Sequence, residues 1–195
     1  MPTRQKYAAT KALAPSVTGQ SGKFAAIDFE TADYGRDSAC SLGVVLVEGV
    51  QVVSRRHFLI RPPRRHFVFS YLHGITYADV ADKPPFHEIW PEAQELLQGV
   101  EFIAAHSATF DRSVLFECCR ASGQPLPAAK FQCTVQLARK AWGIRPTRLP
   151  NVCQFLGIPL KHHCAESDAI ACASIVIAAR RQGIPLSAPL GDYCG

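Results

Sequence analysis

The sequence predicts an α/β domain: a mixed β-sheet flanked by helices. Three observations carry that prediction. Three β-rich runs come first, between residues 23 and 60. Helical spacing then alternates with short apolar runs from residue 86 onward. No internal repeat or low-complexity tract interrupts the 195 residues, a length that suits one domain with a full core.

Lys23 to Glu30 is apolar enough for a central strand. Cys40 to Val47 and Val50 to Ile60 follow as two more strands, with Glu48-Gly49 as a hairpin turn, so three antiparallel strands open the domain. Arg61-Pro-Pro-Arg-Arg65 breaks the pattern and begins a loop. Thr76 to Ala81 reads as a short helix capped by Thr76. Phe86 to Gln98 has apolar residues at helical spacing and Gly99 as its stop. Glu101 to Ala105 is a short buried strand, and Thr109 to Ser122 is an amphipathic helix ended by Gly123. Phe131 to Cys133 is another short strand, with Thr134 as cap of a helix running to about Trp142. Leu149 to Leu156 is a helix stopped by Gly157. Glu166 to Arg181, apolar over most of its surface, is the last helix and packs deep. The expected boundaries are a disordered tail over residues 1–22, a folded domain over 23–185 and a short C-terminal tail over 186–195.

The longest strongly apolar run, Ala169 to Ala179, falls well short of the ~20 residues a membrane span needs, so no membrane partner is expected. Eight cysteines follow no secretory signal and contain no CxxC pair, which reads as reduced thiols in a cytoplasmic protein. A zinc site recruiting Cys133, Cys153, His162, His163 and Cys164 would lack the paired spacing of structural zinc ligands. The net charge of +5 permits a polyanionic partner without requiring one.

Chemistry concentrates in three clusters. Asp28 and Glu30 lie in Phe24-Ala-Ala-Ile-Asp-Phe-Glu-Thr31, Asp111 in Ala105-His-Ser-Ala-Thr-Phe-Asp111, and His163 and Asp168 in His162-His-Cys-Ala-Glu-Ser-Asp-Ala169. Each acid sits in or beside a segment that should be buried, where a carboxylate is costly unless it is paired or binds metal. Two residues apart on a strand, Asp28 and Glu30 share a face. Asp111 and Asp168 each fall in the first turn of a helix. Four carboxylates from three remote places suit two hard cations, Mg²⁺ or Mn²⁺, with His163 as base for an attacking water. For any one acid alone, a structural ion pair would be the better explanation.

These residues resemble the DnaQ-like, or DEDD, 3′–5′ exonucleases, in the branch with a histidine in the third motif. Asp28-Phe-Glu-Thr matches the first motif, Asp111 ends the second, and His163 and Asp168 stand at the spacing of the third. His73-Gly-Ile-Thr76 resembles a feature between the first two motifs. Ser107 departs from the asparagine the family often has. The resemblance spans about residues 23–182 and implies a ribonuclease-H-like sheet, two divalent cations and release of nucleoside 5′-monophosphates from a 3′ end.

It also implies that Thr31 and His73 contact the terminal nucleotide. Phe29 and Phe110 flank the acids, where they serve either the core or stacking on a base or sugar. His162 reads as a solvated neighbour of the base, and His106 as structural. The densest basic stretch, Arg55, Arg56, Arg61, Arg64 and Arg65, reads as a phosphate-steering surface, with a solvated loop as the alternative. The resulting expectation is a two-metal exonuclease on DNA, preferably single-stranded. RNA or oligoribonucleotides, or an inactive nucleic-acid-binding domain, are the alternatives, and any polymerase or repair partner is unidentified.

Overall fold

The computed structural model describes residues 22–186 and Pro189. The two expected tails otherwise lie outside the described residues. The elements follow as β1 (Lys23–Thr31), β2 (Ala39–Glu48), β3 (Gln51–Leu59), α1 (Ser70–His73), α2 (Tyr77–Val80), α3 (Phe86–Leu96), β4 (Phe102–Ala105), α4 (Thr109–Ser122), β5 (Lys130–Cys133), α5 (Thr134–Trp142), α6 (Leu149–Leu156) and α7 (Ala165–Arg181). The sheet order is β3-β2-β1-β4-β5. The first three strands pair antiparallel, and β4 and β5 join in parallel, which gives the mixed sheet the sequence predicts.

Alternation along β1 divides the core. Ala25, Ile27 and Phe29 pack on the face covered by α3 and α4. Phe24 and Ala26 pack on the opposite face, under α5, α6 and α7. Asp28 and Glu30 continue that second series, so β1 delivers both acids to the α7 side as it leaves the core. Gly43 lies opposite Asp28 in the β1–β2 register. A Cβ at Gly43 would collide with the backbone of Ala165 and Glu166, so this glycine lets the start of α7 lie against the sheet.

Arg180 fastens the other end of that layer. Its side chain is 3% exposed, donates to the carbonyls of Gly22 and Gly49 at 2.8 Å each, and lies 4.7 Å over the Phe24 ring.

Three details depart from the sequence reading. The β2–β3 turn residues are Gly49 and Val50, one position later than expected, because Glu48 still pairs with Gln51 and the positive φ of 59° falls on Gly49. The loop after Pro63 contains α1, a four-residue helix too short for periodicity to reveal. Thr134 does not cap α5: Cys133 occupies that position, and the Thr134 hydroxyl lies 3.3 Å from the Ala105 carbonyl and 2.9 Å from His106 Nδ1. Thr76 does cap α2, in a reciprocal arrangement with Asp79.

Candidate active site

One cleft of about 800 Å³ gathers Asp28, Phe29, Glu30, Thr31, Phe110, Asp111, His162, His163 and Asp168. Carboxylate oxygens of Asp28, Glu30 and Asp168 lie within 4.8 Å of one another, as do ligand atoms of His162, His163 and Asp168. Cysteine belongs to neither group, which leaves the zinc reading without a site among the described residues.

The local backbone fixes each acid. Asp111, in the first turn of α4, is 2% exposed, and its Oδ1 accepts the Phe29 N–H at 3.0 Å. The backbone between Asp28 and Glu30 therefore holds the acid of the second cluster. Asp168, in the first turn of α7, receives the His163 backbone N–H on Oδ2 at 3.0 Å, and His162 Nδ1 approaches the same oxygen at 3.0 Å. His163 reaches this position with φ 63°, a left-handed conformation unusual for a residue with a Cβ. Ser107 does the same at φ 63° after β4, where its carbonyl accepts the Phe110 N–H. Asparagine tolerates that conformation better than serine does, a physical reason for the asparagine expected from the family pattern at this turn.

The acids destabilise one another's charged forms. Burial pushes the Asp28 carboxyl well up, and Asp111, Asp168 and Glu30 push it further. Glu30 rises to about 7 through burial and then Asp168. Burial raises Asp111 despite the hydrogen bond from Phe29, and raises Asp168 despite those from His163 and His162. Asp168 Oδ1 is buried without a hydrogen-bond partner. An orphaned carboxylate oxygen beside two more carboxylates is a donor set that fits hard divalent cations.

The His163 imidazole is held below its ordinary pKa by partial burial and then by His162. The two rings stack with centroids 3.9 Å apart. His162 is thus exposed but not the uninvolved neighbour expected: it touches the same carboxylate oxygen as the His163 backbone.

Two of the expected substrate contacts have other structural roles. Phe29 borders the cleft, but its side chain is 3% exposed and packs in the core, so its contribution to the site is its backbone N–H. His73 is not among the cleft-lining residues. Its Nδ1 accepts the Ile75 N–H, which leaves Nε2 to donate to the Thr31 carbonyl at 3.2 Å. His73 therefore ties α1 to the end of β1 and seats Phe69 and Leu72 on the cleft wall. Thr31 and Phe110 do border the cleft, with the Arg36 guanidinium 4.5 Å over the Phe110 ring.

The basic stretch chosen from sequence is also elsewhere. None of Arg55, Arg56, Arg61, Arg64 or Arg65 lines the cleft. Arg64 forks between Asp33 and Asp37, at 2.8 and 2.6 Å, and Arg56 pairs with Glu92 on the α3 side. The arginines that line the cleft are Arg139, Arg145 and Arg148.

The chain matches the family model described as Exonuclease (RNase_T) over residues 25–176. It is 31% identical over 159 residues to the PolC-type DNA polymerase III of Thermotoga maritima, covering 79% of this chain and 12% of that protein. It is 32% identical over 160 residues to exodeoxyribonuclease 10 of Escherichia coli K12, covering 77% of this chain and 66% of that protein. The chain therefore spans a small part of the first relative and just under two thirds of the second. Among solved structures, exonuclease X in complex with 5′-overhanging duplex DNA superposes with TM-score 0.65 and 25% identity, over 83% of this chain and 94% of that one. The nuclease domain of 3′hExo, a DEDDh family member bound to rAMP, superposes with TM-score 0.74 and 18% identity, over 88% and 99%. The mixed sheet with flanking helices is the ribonuclease-H-like architecture of these neighbours.

Proposed function

The chain belongs to the exonuclease family, and from that premise we propose that it removes nucleoside 5′-monophosphates from the 3′ end of DNA, preferably single-stranded. The observation that carries the proposal is the convergence of Asp28, Glu30 and Asp168 within 4.8 Å beside Asp111 and His163. Asp28, Glu30, Asp111 and Asp168 would hold two divalent cations, Mg²⁺ or Mn²⁺. When bound, such ions supply Lewis acidity toward the phosphate and its leaving oxygen.

The chain's own groups do the rest. His163 accepts a proton from the attacking water at a ring nitrogen, and its depressed pKa keeps it neutral for that task. The water oxygen bonds to phosphorus as the P–O3′ bond breaks, which leaves a 5′-monophosphate and a strand shortened by one nucleotide. The backbone N–H groups of Phe29 and His163 hold the Asp111 and Asp168 carboxylates in place. Phe110, Phe69 and Leu72 offer apolar surface for an unpaired terminal base, in support of a single-stranded substrate.

The names of the two bacterial relatives, a DNA polymerase and an exodeoxyribonuclease, support DNA over RNA. The seven described cysteines are all free thiols, in support of a cytoplasmic setting. Among the described residues no helix is long and apolar enough to cross a membrane. Digestion of 5′-labelled single-stranded DNA, duplex DNA and RNA with Mg²⁺ and then Mn²⁺ tests the proposal. Stepwise shortening of the single DNA strand, abolished by chelator, is the expected result. Cleavage of a circular single strand would refute exonuclease action.

A further inference from the structure

The cleft carries two kinds of charge that do not neutralise each other. Arg139, Arg145 and Arg148 line it together with four carboxylates, yet none of the three forms an ion pair with any acid among the described residues. The arginine wall is anchored. Arg139 Nε donates to Thr147 Oγ1 at 3.0 Å, and that hydroxyl donates to the Ile144 carbonyl at 2.8 Å. His106 Nε2 meets the Thr147 carbonyl at 3.0 Å. Burial lowers the His106 pKa to about 4, so the ring is neutral, and its Nδ1 lies 2.9 Å from the Thr134 hydroxyl at the start of α5. Residues 145–148, which line the cleft, are thereby anchored, while Arg145 and Arg148 remain exposed and free of side-chain partners.

We infer that Arg145 and Arg148, with Arg139 beside them, grip the phosphates on the 5′ side of the scissile bond. The inference rests on the exonuclease reading above. In that reading the scissile phosphate lies at the acids, and the 3′-terminal nucleotide has no other phosphate. The arginines share the cleft without pairing with the acids, which leaves their guanidinium groups available to phosphates further along the strand. Exposed guanidinium groups suit such contacts, since each offers several donors to phosphate oxygens. Phe69 and Leu72 line the same cleft and offer apolar surface, so a strand there would find both phosphate donors and base contacts.

The test compares two substrates that differ in upstream phosphates. Thymidine 5′-(4-nitrophenyl phosphate) has only the phosphate to be cleaved, whereas a 12-nucleotide single DNA strand has many. In Arg145→Ala/Arg148→Ala the ratio of oligonucleotide to ester kcat/KM should fall at least tenfold. In chelator, anisotropy of the labelled strand should show a salt dependence shallower by about 1.4 in log–log slope, at about 0.7 per phosphate contact on a single strand. Arg55→Ala/Arg61→Ala removes the same net charge away from the cleft and should keep both values. An unchanged ratio and slope in the first variant, or an equal loss in the second, would overturn the inference. A wild-type chain that binds the strand with the full slope but cleaves neither substrate would refute the exonuclease reading and leave the wall standing.

Discussion

The Phe29 N–H donates to Asp111 Oδ1 at 3.0 Å across 82 residues of sequence. One carboxylate thus serves both the site and the fold: it is a proposed metal ligand, and it satisfies a buried backbone donor between Asp28 and Glu30. Asp111→Asn keeps an Oδ1 acceptor and should fold normally while losing nearly all nuclease activity. Asp111→Ala should lose activity and also leave that N–H unpaired, at a cost of about 1–3 kcal/mol. Loss of the buried acid's own charge penalty offsets part of this in the metal-free protein. Equal chemical-denaturation midpoints for the two variants would show that the Phe29 bond contributes nothing to stability.

Stability without metal should fall as pH rises. Glu30 titrates near 7 in the folded chain, against 4.5 ordinarily, and Asp28, Asp111 and Asp168 are raised as well. Between the unfolded and folded values the native state retains protons that the unfolded chain has lost, so the native state loses relative stability through that window. In chelator, Tm should decline from about pH 5 to about pH 8. Mg²⁺ or Mn²⁺ binds the deprotonated acids and should raise Tm by an amount that grows over the same range. Glu30→Gln should flatten the decline. A Tm flat with pH in chelator, with no cation effect at either end, would remove the case for an acid-only cation site.

His163 and His162 should separate by pH profile. The rate should rise as His163 loses its proton, with an apparent pKa below the usual 6.5. His163→Ala should cost on the order of 10²–10⁴-fold in rate and abolish that limb of the profile. His162→Ala should preserve the limb but weaken the cation response, since it removes a partner of Asp168 Oδ2. Single-turnover rates across pH decide. The opposite assignment of the two phenotypes would make His162 the base.

His106→Ala keeps every arginine but releases the Thr147 carbonyl and the Thr134 hydroxyl. KM for an oligonucleotide should rise several-fold, with a smaller effect on cleavage of the 4-nitrophenyl ester. Equal losses on both substrates would mean that His106 acts on the chemistry rather than on the loop carrying Arg145 and Arg148.

Arg180→Ala should be among the more destabilising single changes outside the site. It leaves the Gly22 and Gly49 carbonyls without their guanidinium partner and removes a packed cation from the Phe24 and Phe102 rings. A loss of about 2–3 kcal/mol is expected in urea denaturation, the scale of losing hydrogen bonds to a charged donor. A change below about 1 kcal/mol, the scale of a surface pair, would show that these contacts add little.

The sequence by itself determined the mixed α/β sheet, its order of three antiparallel strands before the parallel ones, and which acids, with His163, come to line one cleft. The sheet follows from short-range pattern, period-2 and period-3.6 apolar spacing, and the set of acids with His163 from carboxylates in apolar runs together with the resemblance of the three motifs to the DEDD exonucleases. The long helices matched that reading because burial repeats along them, whereas the four-residue α1 was missed because it has no repeat to show. Only the tertiary structure decided that the Phe29 ring belongs to the core, that His73 ties α1 to β1, that His162 touches Asp168, and that Arg139, Arg145 and Arg148 rather than Arg61, Arg64 and Arg65 face the acids. The reason is physical. Periodicity reports which face of an element is buried, but the partner across that face comes from another part of the chain. The engagement of Arg64 by Asp33 and Asp37, 31 and 27 residues away, is invisible until the loops are folded together.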